Sequence, residues 1–169
     1  MNRILFISVV LMLFIMSATS FAQVSNKKLT AQSFNGEIII NAAPQAVWAT
    51  LTDVQKLSKA MGFDYSGAAK KLEKVGDHAP VKVWGDNLTV VLIHAKPASE
   101  LRFTLDPENA SYVCQERWTL SSAGSGTKLG LDERYTESGP QSVEEIAAQV
   151  KGFNEALARL KAMCEGSKP

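Results

Sequence analysis

The chain of 169 residues has little of what metal centres, nucleophile motifs and nucleic-acid surfaces require. It contains two histidines and two cysteines, and its 18 basic residues nearly balance its 17 acidic ones. A nucleic-acid-binding protein needs a concentrated basic surface, and a disordered chain combines low hydrophobicity with high net charge, so the composition argues against both classes. No Gly-x-Ser-x-Gly motif and no glycine-rich phosphate loop occurs in the sequence. The sequence also has no tight cluster of metal-ligand residue types, so we predict no metal site and no cofactor.

The first 22 residues differ from the rest of the chain. Arg3 is their one charged residue, and a nearly unbroken apolar run follows from Ile4 to Met16. A short positive region, an apolar core of roughly 7 to 15 residues and small residues before the cleavage point are typical of a secretory signal peptide. The run is shorter than the roughly 20 residues that cross a bilayer as a helix. We therefore predict cleavage after Ala22, no stable membrane anchor afterwards, and a periplasmic or secreted mature protein.

Export places the two cysteines in an oxidising compartment, so a disulfide between Cys114 and Cys164 has to be considered. The alternative is that both are small buried hydrophobic side chains. The sequence pattern places Cys114 early in a strand and Cys164 at the far end of a long helix. We therefore expect the second arrangement and keep the bond as the alternative.

The mature chain has the pattern of one α+β domain. Residues 23–33 are polar and unpatterned, which predicts an N-terminal tether, and the folded domain is expected over residues 34–165. The isoleucine run before residue 41 predicts a strand, Pro44 suits the first turn of a short helix, and Asp53 can cap a second one. From residue 80 to 137 the apolar residues alternate between turn signals, which predicts an antiparallel meander.

The last segment carries the strongest helix pattern. Ser142 followed three residues later by Glu145 is a capping-box start. Apolar residues then recur at steps of three and four. They are Val143, Ile146, Val150, Phe153, Leu157, Leu160 and Cys164. Gly152 interrupts this helix, either to leave space for a ligand or to let the helix lie close to the sheet, and we expect the second.

This order of elements resembles the START and birch-pollen-allergen (SRPBCC) superfamily, whose fold is called the helix grip. The resemblance is carried by the segments 37–53 and 116–120, by Gly126-Thr127 and by the final helix, and it covers residues 34–165. The most similar branch is the polyketide cyclase/dehydrase and lipid-transport group. The resemblance implies a curved antiparallel sheet of about seven strands around the last helix, with an apolar cavity between them. It predicts fold more than function, because one fold hosts many functions.

The last two strands allow their register to be predicted from side-chain alternation. If the loop 121–126 sets Leu120 opposite Leu129, then Arg117 falls opposite Asp132 on the outer face. The same register sets Glu116 opposite Glu133 on the inner face. Two facing carboxyls in a dry site cannot both ionise easily, so one pKa should rise. The alternative is that both glutamates stay hydrated, or that a bulge turns one of them outward.

We predict that this carboxyl pair forms the polar end of an otherwise apolar pocket, with His94 joining it from the face of Leu88, Val90 and Leu92. No catalytic residue is assigned firmly, although Glu116 and Glu133 are candidates. The predicted ligand-binding residues are Tyr112, Glu116, Trp118, Glu133, Tyr135, His94, Phe103 and Phe153.

Three functions remain open. The first is an exported protein that binds a small hydrophobic molecule, such as a lipid or polyketide-like compound. The second is an enzyme of the cyclase, dehydrase or isomerase kind that uses the carboxyl pair. The third is a structural or partner-binding module of the cell envelope. In each case we expect no nucleic-acid partner.

Overall fold

The computed structural model describes residues 29–166 except Ala69 and Ser111, and the backbone but not the side chain of Ser138. The predicted signal peptide and its cleavage site therefore lie outside the described residues. The described chain forms six strands and three helices in the order β1, α1, α2, β2 to β6, α3. The strands are β1 Leu29–Ile40, β2 His78–Val83, β3 Asp86–Lys96, β4 Glu100–Pro107, β5 Tyr112–Ala123 and β6 Gly126–Ser138. The helices are α1 Pro44–Leu51, α2 Val54–Met61 and α3 Val143–Cys164.

The strands form one antiparallel sheet in the order β1-β6-β5-β4-β3-β2. Strands β2 to β6 are a meander in which each strand pairs with the next. Strand β1 pairs with β6 and lies at the edge of the sheet opposite to β2. The helix α3 packs against β1, α1 and α2. The predicted α+β class and helix-grip fold are therefore confirmed.

The strand count and the predicted tether need correction. The sheet has six strands, because the glycine-rich stretch after α2 contributes only the isolated bridges Asp53–Lys71 and Asp64–Lys82 within its described part. Strand β1 begins at Leu29, so residues 29–33 are not a tether. Their side chains alternate between exposed and half-buried while their backbone pairs with the end of β6, which polarity alone did not predict.

The predicted helix starts are present. The Asp53 carboxylate accepts a hydrogen bond from the Lys56 amide at the start of α2. At α3, Ser142 Oγ accepts from the Glu145 amide at 3.1 Å, and Glu145 Oε2 accepts from the Ser142 amide at 2.7 Å. These caps fix where each helix begins and hence which residues of α3 face the sheet.

A glycine on β1 determines how closely α3 approaches the sheet. A Cβ atom added at Gly36 would lie 2.6 Å from Phe153 Cε1 and 3.0 Å from Leu157 Cδ1. The helix therefore rests on the bare backbone of β1 at this point. In contrast, a Cβ atom added at Gly152 would meet nothing within 4 Å. The expectation that Gly152 brings the helix close to the sheet was wrong, and Gly36 has that role.

Among the described helices, none is long and apolar enough to cross a membrane.

Candidate functional site

A cavity of about 360 Å³ lies between the middle of α3 and the inner face of the sheet. Its walls are mostly apolar, and its polar groups are concentrated on β5, β6 and α3. Lining residues are Met61, Gly62, Phe63, Val83, Trp84, Leu105, Tyr112, Cys114, Glu116, Glu133, Tyr135, Ala148, Gln149, Gly152, Phe153, Ala156 and Arg159. An apolar cavity of a few hundred Å³ with few polar groups has the character of a small-molecule site.

The carboxyl pair lies on the sheet wall of this cavity. Strands β5 and β6 pair in the predicted register, with Leu120 opposite Leu129 and Glu116 opposite Glu133. Glu116 is 3% exposed, whereas Glu133 is half-buried. The predicted register is therefore confirmed: both glutamates face inward, and no bulge turns either of them outward.

Burial changes the acidity of both glutamates. Loss of hydration raises the pKa of Glu116 above the ordinary carboxyl value, and the neighbouring Glu133 charge raises it further. A hydrogen bond from Trp118 opposes these effects in part. Burial likewise raises the pKa of Glu133. Near neutral pH the pair therefore holds at least one proton that a solvent-exposed pair would have lost.

Trp118 fixes the direction of Glu116. Its indole Nε1–H donates to Glu116 Oε2 at 2.9 Å, and both side chains project from the same face of β5. The second oxygen, Glu116 Oε1, is buried and has no hydrogen-bond partner among the described residues. Gln149 Oε1 on α3, another atom of a cavity-lining residue, is also buried and lacks a partner within the described chain. Two acceptor atoms of this cavity's walls are thus left for a donor that the protein does not supply.

The cysteine on β5 belongs to the same cluster. One ligand atom each from Cys114, Glu116 and Glu133 lie within 4.8 Å of one another, so the three could share a metal ion. The sequence alone did not indicate this cluster, because Glu133 of β6 joins Cys114 and Glu116 only through the register of β5 and β6. Burial raises the pKa of the Cys114 thiol, which keeps it protonated and disfavours the thiolate that a metal needs.

Two tyrosines complete the polar side of the cavity. The Tyr112 and Tyr135 rings lie 5.1 Å apart between centroids at 34°, and Tyr135 Oη donates to Glu137 Oε2 at 2.9 Å. Burial raises the pKa of Tyr112 to about 12 and also raises that of Tyr135. Both phenols are therefore neutral hydrogen-bonding groups at physiological pH.

The structure brings together five of the eight predicted ligand-binding residues and leaves three out of the cavity lining. Tyr112, Glu116, Glu133, Tyr135 and Phe153 line the cavity. Trp118 and Phe103 are fully buried in the core, where Trp118 positions Glu116 rather than facing a ligand.

His94 is on the opposite face of the sheet from the one predicted. The register of β3 shifts between Leu92 and His94, so that Leu92 lies opposite Phe103 and His94 opposite Arg102. One extra residue reverses the alternation of the side chains that follow it. His94 is therefore exposed, and Ala95 takes the inward position opposite Leu101.

The disulfide does not form. Both Cys114 and Cys164 are free thiols. Cys114 lies beneath the middle of α3, while Cys164 is at the helix end, where it interacts with Thr50 of α1. Cys164 follows Phe153 of the cavity by 11 residue steps, or about 16 Å of helix, which separates the two cysteines.

Several lining residues were not predicted, and α3 shows why. The predicted stripe continues through Val143 and Val150, but these residues are 77% and 42% exposed. The helix face that meets the cavity carries Gln149 instead, three residues after Ile146 and four before Phe153. Gln149 fits the helical spacing of the stripe, but the predicted stripe was defined by apolar residues only and therefore left it out.

An antiparallel sheet around a long helix, with a mostly apolar cavity between them, defines a helix-grip protein. The chain belongs to the polyketide cyclase / dehydrase and lipid transport family, whose profile matches residues 31–165. No protein of curated function matches the sequence.

Solved structures show the same fold at low sequence identity. DynU16, a protein of the dynemicin biosynthetic locus, is 21% identical to this chain and superposes with a TM-score of 0.60. The match covers 80% of this chain and 48% of DynU16, so this chain spans about half the length of DynU16. The Aha1 dimer from Colwellia psychrerythraea is 21% identical with a TM-score of 0.60, covering 82% of this chain and 99% of its own. Ara h 8.0201 is 11% identical with a TM-score of 0.58, covering 80% of this chain and 98% of its own.

Proposed function

We propose that the mature protein is an exported binding protein that holds a small hydrophobic molecule, such as a lipid or polyketide-like compound, in the cavity beneath α3. The observation that carries the proposal is the cavity of about 360 Å³ between helix and sheet, whose mostly apolar walls carry a small group of polar side chains. The family description names polyketide cyclisation or dehydration and lipid transport, and each of these activities needs a site that surrounds an apolar molecule. The pattern of residues 1–22 supports export to the periplasm or out of the cell.

One of the aromatic side chains that line the cavity is strongly exposed. Trp84 lies at the turn between β2 and β3, lines the cavity and is 79% exposed. Trp84 and Gly85 both have positive φ, 52° and 93°, which is the conformation of a type I′ hairpin turn. A bulky residue is unusual there, because glycine or asparagine adopts it at lower cost. Trp84 thus presents an exposed indole at the cavity wall, and an apolar ligand can pack against it.

Binding can be tested with prodan, a neutral fluorescent dye whose emission shifts when it leaves water. A Gly152→Trp variant places an indole at the cavity wall, because Gly152 lines the cavity and nothing lies within 4 Å of a Cβ atom there. The matched control is Lys151→Trp, on the neighbouring residue, whose side chain is 79% exposed. We expect dye binding by the wild type and by the control, and at least a tenfold loss in Gly152→Trp at unchanged helix content. Equal binding by all three proteins would contradict the proposal.

A second candidate function is acid–base catalysis by Glu116 and Glu133. Their raised pKa values favour it, since a carboxyl that holds a proton near neutral pH can donate it to a bound molecule. Prodan carries a ketone, so exchange of its α-hydrogens for deuterium in heavy water provides a measurement. Exchange faster than in a Glu116→Gln, Glu133→Gln double variant would support catalysis. Equal exchange in both proteins would remove this candidate and leave the binding function intact.

A further inference from the structure

The buried acceptors in the cavity indicate the chemistry of the ligand, an inference that rests on the proposed binding function. Glu116 is 97% removed from solvent, since its exposed fraction is 3%. Its Oε2 accepts from Trp118, but its Oε1 has no partner within the described structure. Leaving a buried polar atom unpaired costs about 1 to 3 kcal/mol, and more when the group is charged. Such an atom on a cavity wall therefore marks a position where a bound molecule can donate a hydrogen bond.

A second, separate element presents another acceptor. Gln149 comes from α3 on the opposite wall, and its Oε1 is also buried without a partner among the described residues. Glu133 adds a second carboxyl to the sheet wall directly across from Glu116. The polar end of the cavity thus carries three acceptor groups from three elements, β5, β6 and α3.

The protein supplies little positive charge to balance these acceptors. Among the described residues, no lysine or arginine contributes to the acidity of Glu116 or Glu133. Arg159 lines the cavity, but its Nε donates to the Ala60 carbonyl oxygen at 2.7 Å and its Nη1 lies 3.6 Å from Glu155. The hydroxyl of Tyr135 is directed to Glu137. A buried carboxyl pair without a cation is stabilised when a cation binds beside it.

We propose that the cavity selects apolar molecules that carry a protonated amine, with the ammonium group held by Glu116, Glu133 and Gln149 and the apolar body beneath α3. An ammonium group has three donors and no acceptor, which matches a set of acceptors. A carboxylate-bearing molecule of the same shape is rejected, because it would add an anion beside a buried carboxyl pair that no cation of the described residues balances. A neutral hydroxyl is intermediate, since it donates one hydrogen bond and brings no charge.

The test is a displacement series of three probes with the same aromatic body: naphthylethylamine, naphthylethanol and naphthylacetate. Each competes with prodan for the wild-type protein at neutral pH. We expect the amine to bind at least tenfold more tightly than the acetate, with the alcohol between them. In a Glu116→Gln, Glu133→Gln double variant, the ratio of amine affinity to acetate affinity should fall toward one. The matched control is Glu37→Gln, a carboxyl on β1 that is 63% exposed and pairs with Lys128, and it should keep the wild-type order.

The outcomes separate the two proposals. If neither prodan nor any probe binds to the wild type, the proposed binding function fails. If the probes bind with equal affinity, or the acetate binds best, the binding function stands and the amine preference is overturned. If the amine keeps its advantage in the double variant, the preference does not arise from the two glutamates and this assignment of the site is wrong.

Discussion

At the scale of single residues, Glu116 is central to the site, because its carboxyl is buried at the wall of an apolar cavity. The loss of hydration and the proximity of Glu133 raise its pKa, and the bond from Trp118 lowers it by a smaller amount. The neighbouring Tyr112, Cys114 and Tyr135 have raised pKa values and stay neutral, so they add no charge near neutral pH. The titration of the pair should therefore be visible in the stability of the protein.

Glu116→Gln should stabilise the protein increasingly as pH rises. A carboxyl whose pKa is higher in the folded state than in the unfolded state binds more protons when folded, so the wild type loses stability as pH rises from about 4.5 through the raised pKa. Glutamine does not titrate and can still accept from Trp118. We expect little difference between the proteins at pH 4 and an advantage for Gln on the order of 1 to 3 kcal/mol at pH 8. Urea denaturation at both pH values measures this, and a constant difference would contradict the raised pKa.

Trp118→Phe and Glu133→Gln should shift the pKa of Glu116 in opposite directions. The indole hydrogen bond favours the ionised carboxyl, so its removal should raise the pKa of Glu116 further. Glu133→Gln, which removes the neighbouring charge, should lower it. Carbon-detected NMR of the carboxyl resonances follows both titrations. Shifts of the same sign in the two variants would show that the assigned causes are wrong.

At the scale of elements, the cavity exists because α3 touches the sheet at one place and stands away from it at another. Gly36 of β1 allows the contact, and Gly152 of α3 faces the open space. Two glycines that look alike in the sequence therefore have opposite surroundings. The same substitution at each should have opposite effects on stability.

Gly36→Ala should destabilise the protein and Gly152→Ala should stabilise it. The new methyl at residue 36 would lie 2.6 Å from the Phe153 ring, and such overpacking costs about 1 to 3 kcal/mol. At residue 152 the methyl meets nothing within 4 Å, and alanine is favoured over glycine inside a helix by about 0.5 to 1 kcal/mol. Urea midpoints of the two variants provide the comparison. Effects of the same sign would contradict the position of α3 relative to β1.

The sequence allowed much of the sheet to be predicted, because alternation fixes which residues share a face once one register is known. The pairing of Leu120 with Leu129 led correctly to the inward Glu116 and Glu133 pair and to Arg117 opposite Asp132. Arg117 makes its shorter ion pair with Glu100 of β4, at 3.0 Å against 3.9 Å to Asp132.

Prediction failed where a local irregularity changes the pattern. The bulge before His94 has no distinct sequence signature, so alternation placed the histidine on the wrong face. The inward position of Gln149 was missed because polar residues were not expected on the buried side of α3. Both failures concern packing between elements, which a periodic pattern within one element does not contain.

At the scale of the whole molecule, the balanced charge and the apolar cavity beneath α3 support the proposed binding of a small molecule. The formal net charge of the chain is +1, so there is no strong overall attraction to polyanions. The signal peptide predicted for residues 1–22 adds a location to this function. An exported binding protein would carry or store its ligand outside the cytoplasm.

Export predicts a mature protein that begins at Gln23. Expressed from its full sequence in a bacterium, the chain should be recovered from the periplasm or medium with the mass expected after cleavage behind Ala22. An Arg substitution in the middle of the apolar run, such as Leu11→Arg, should keep it uncleaved in the cytoplasm, because a charge disrupts the apolar core of a signal peptide. An uncleaved wild-type chain in the cytoplasm would contradict the proposed location.

The most direct test of the central claim, that the cavity beneath α3 holds a small apolar ligand, is a native mass spectrum of the protein isolated from cells that make it naturally. We predict that the wild type and the Lys151→Trp control carry a bound molecule on the order of a few hundred daltons, consistent with a cavity of about 360 Å³. The molecule should be released on denaturation and be missing from Gly152→Trp. A wild-type spectrum without any bound molecule, or the same bound molecule on Gly152→Trp, would contradict the account.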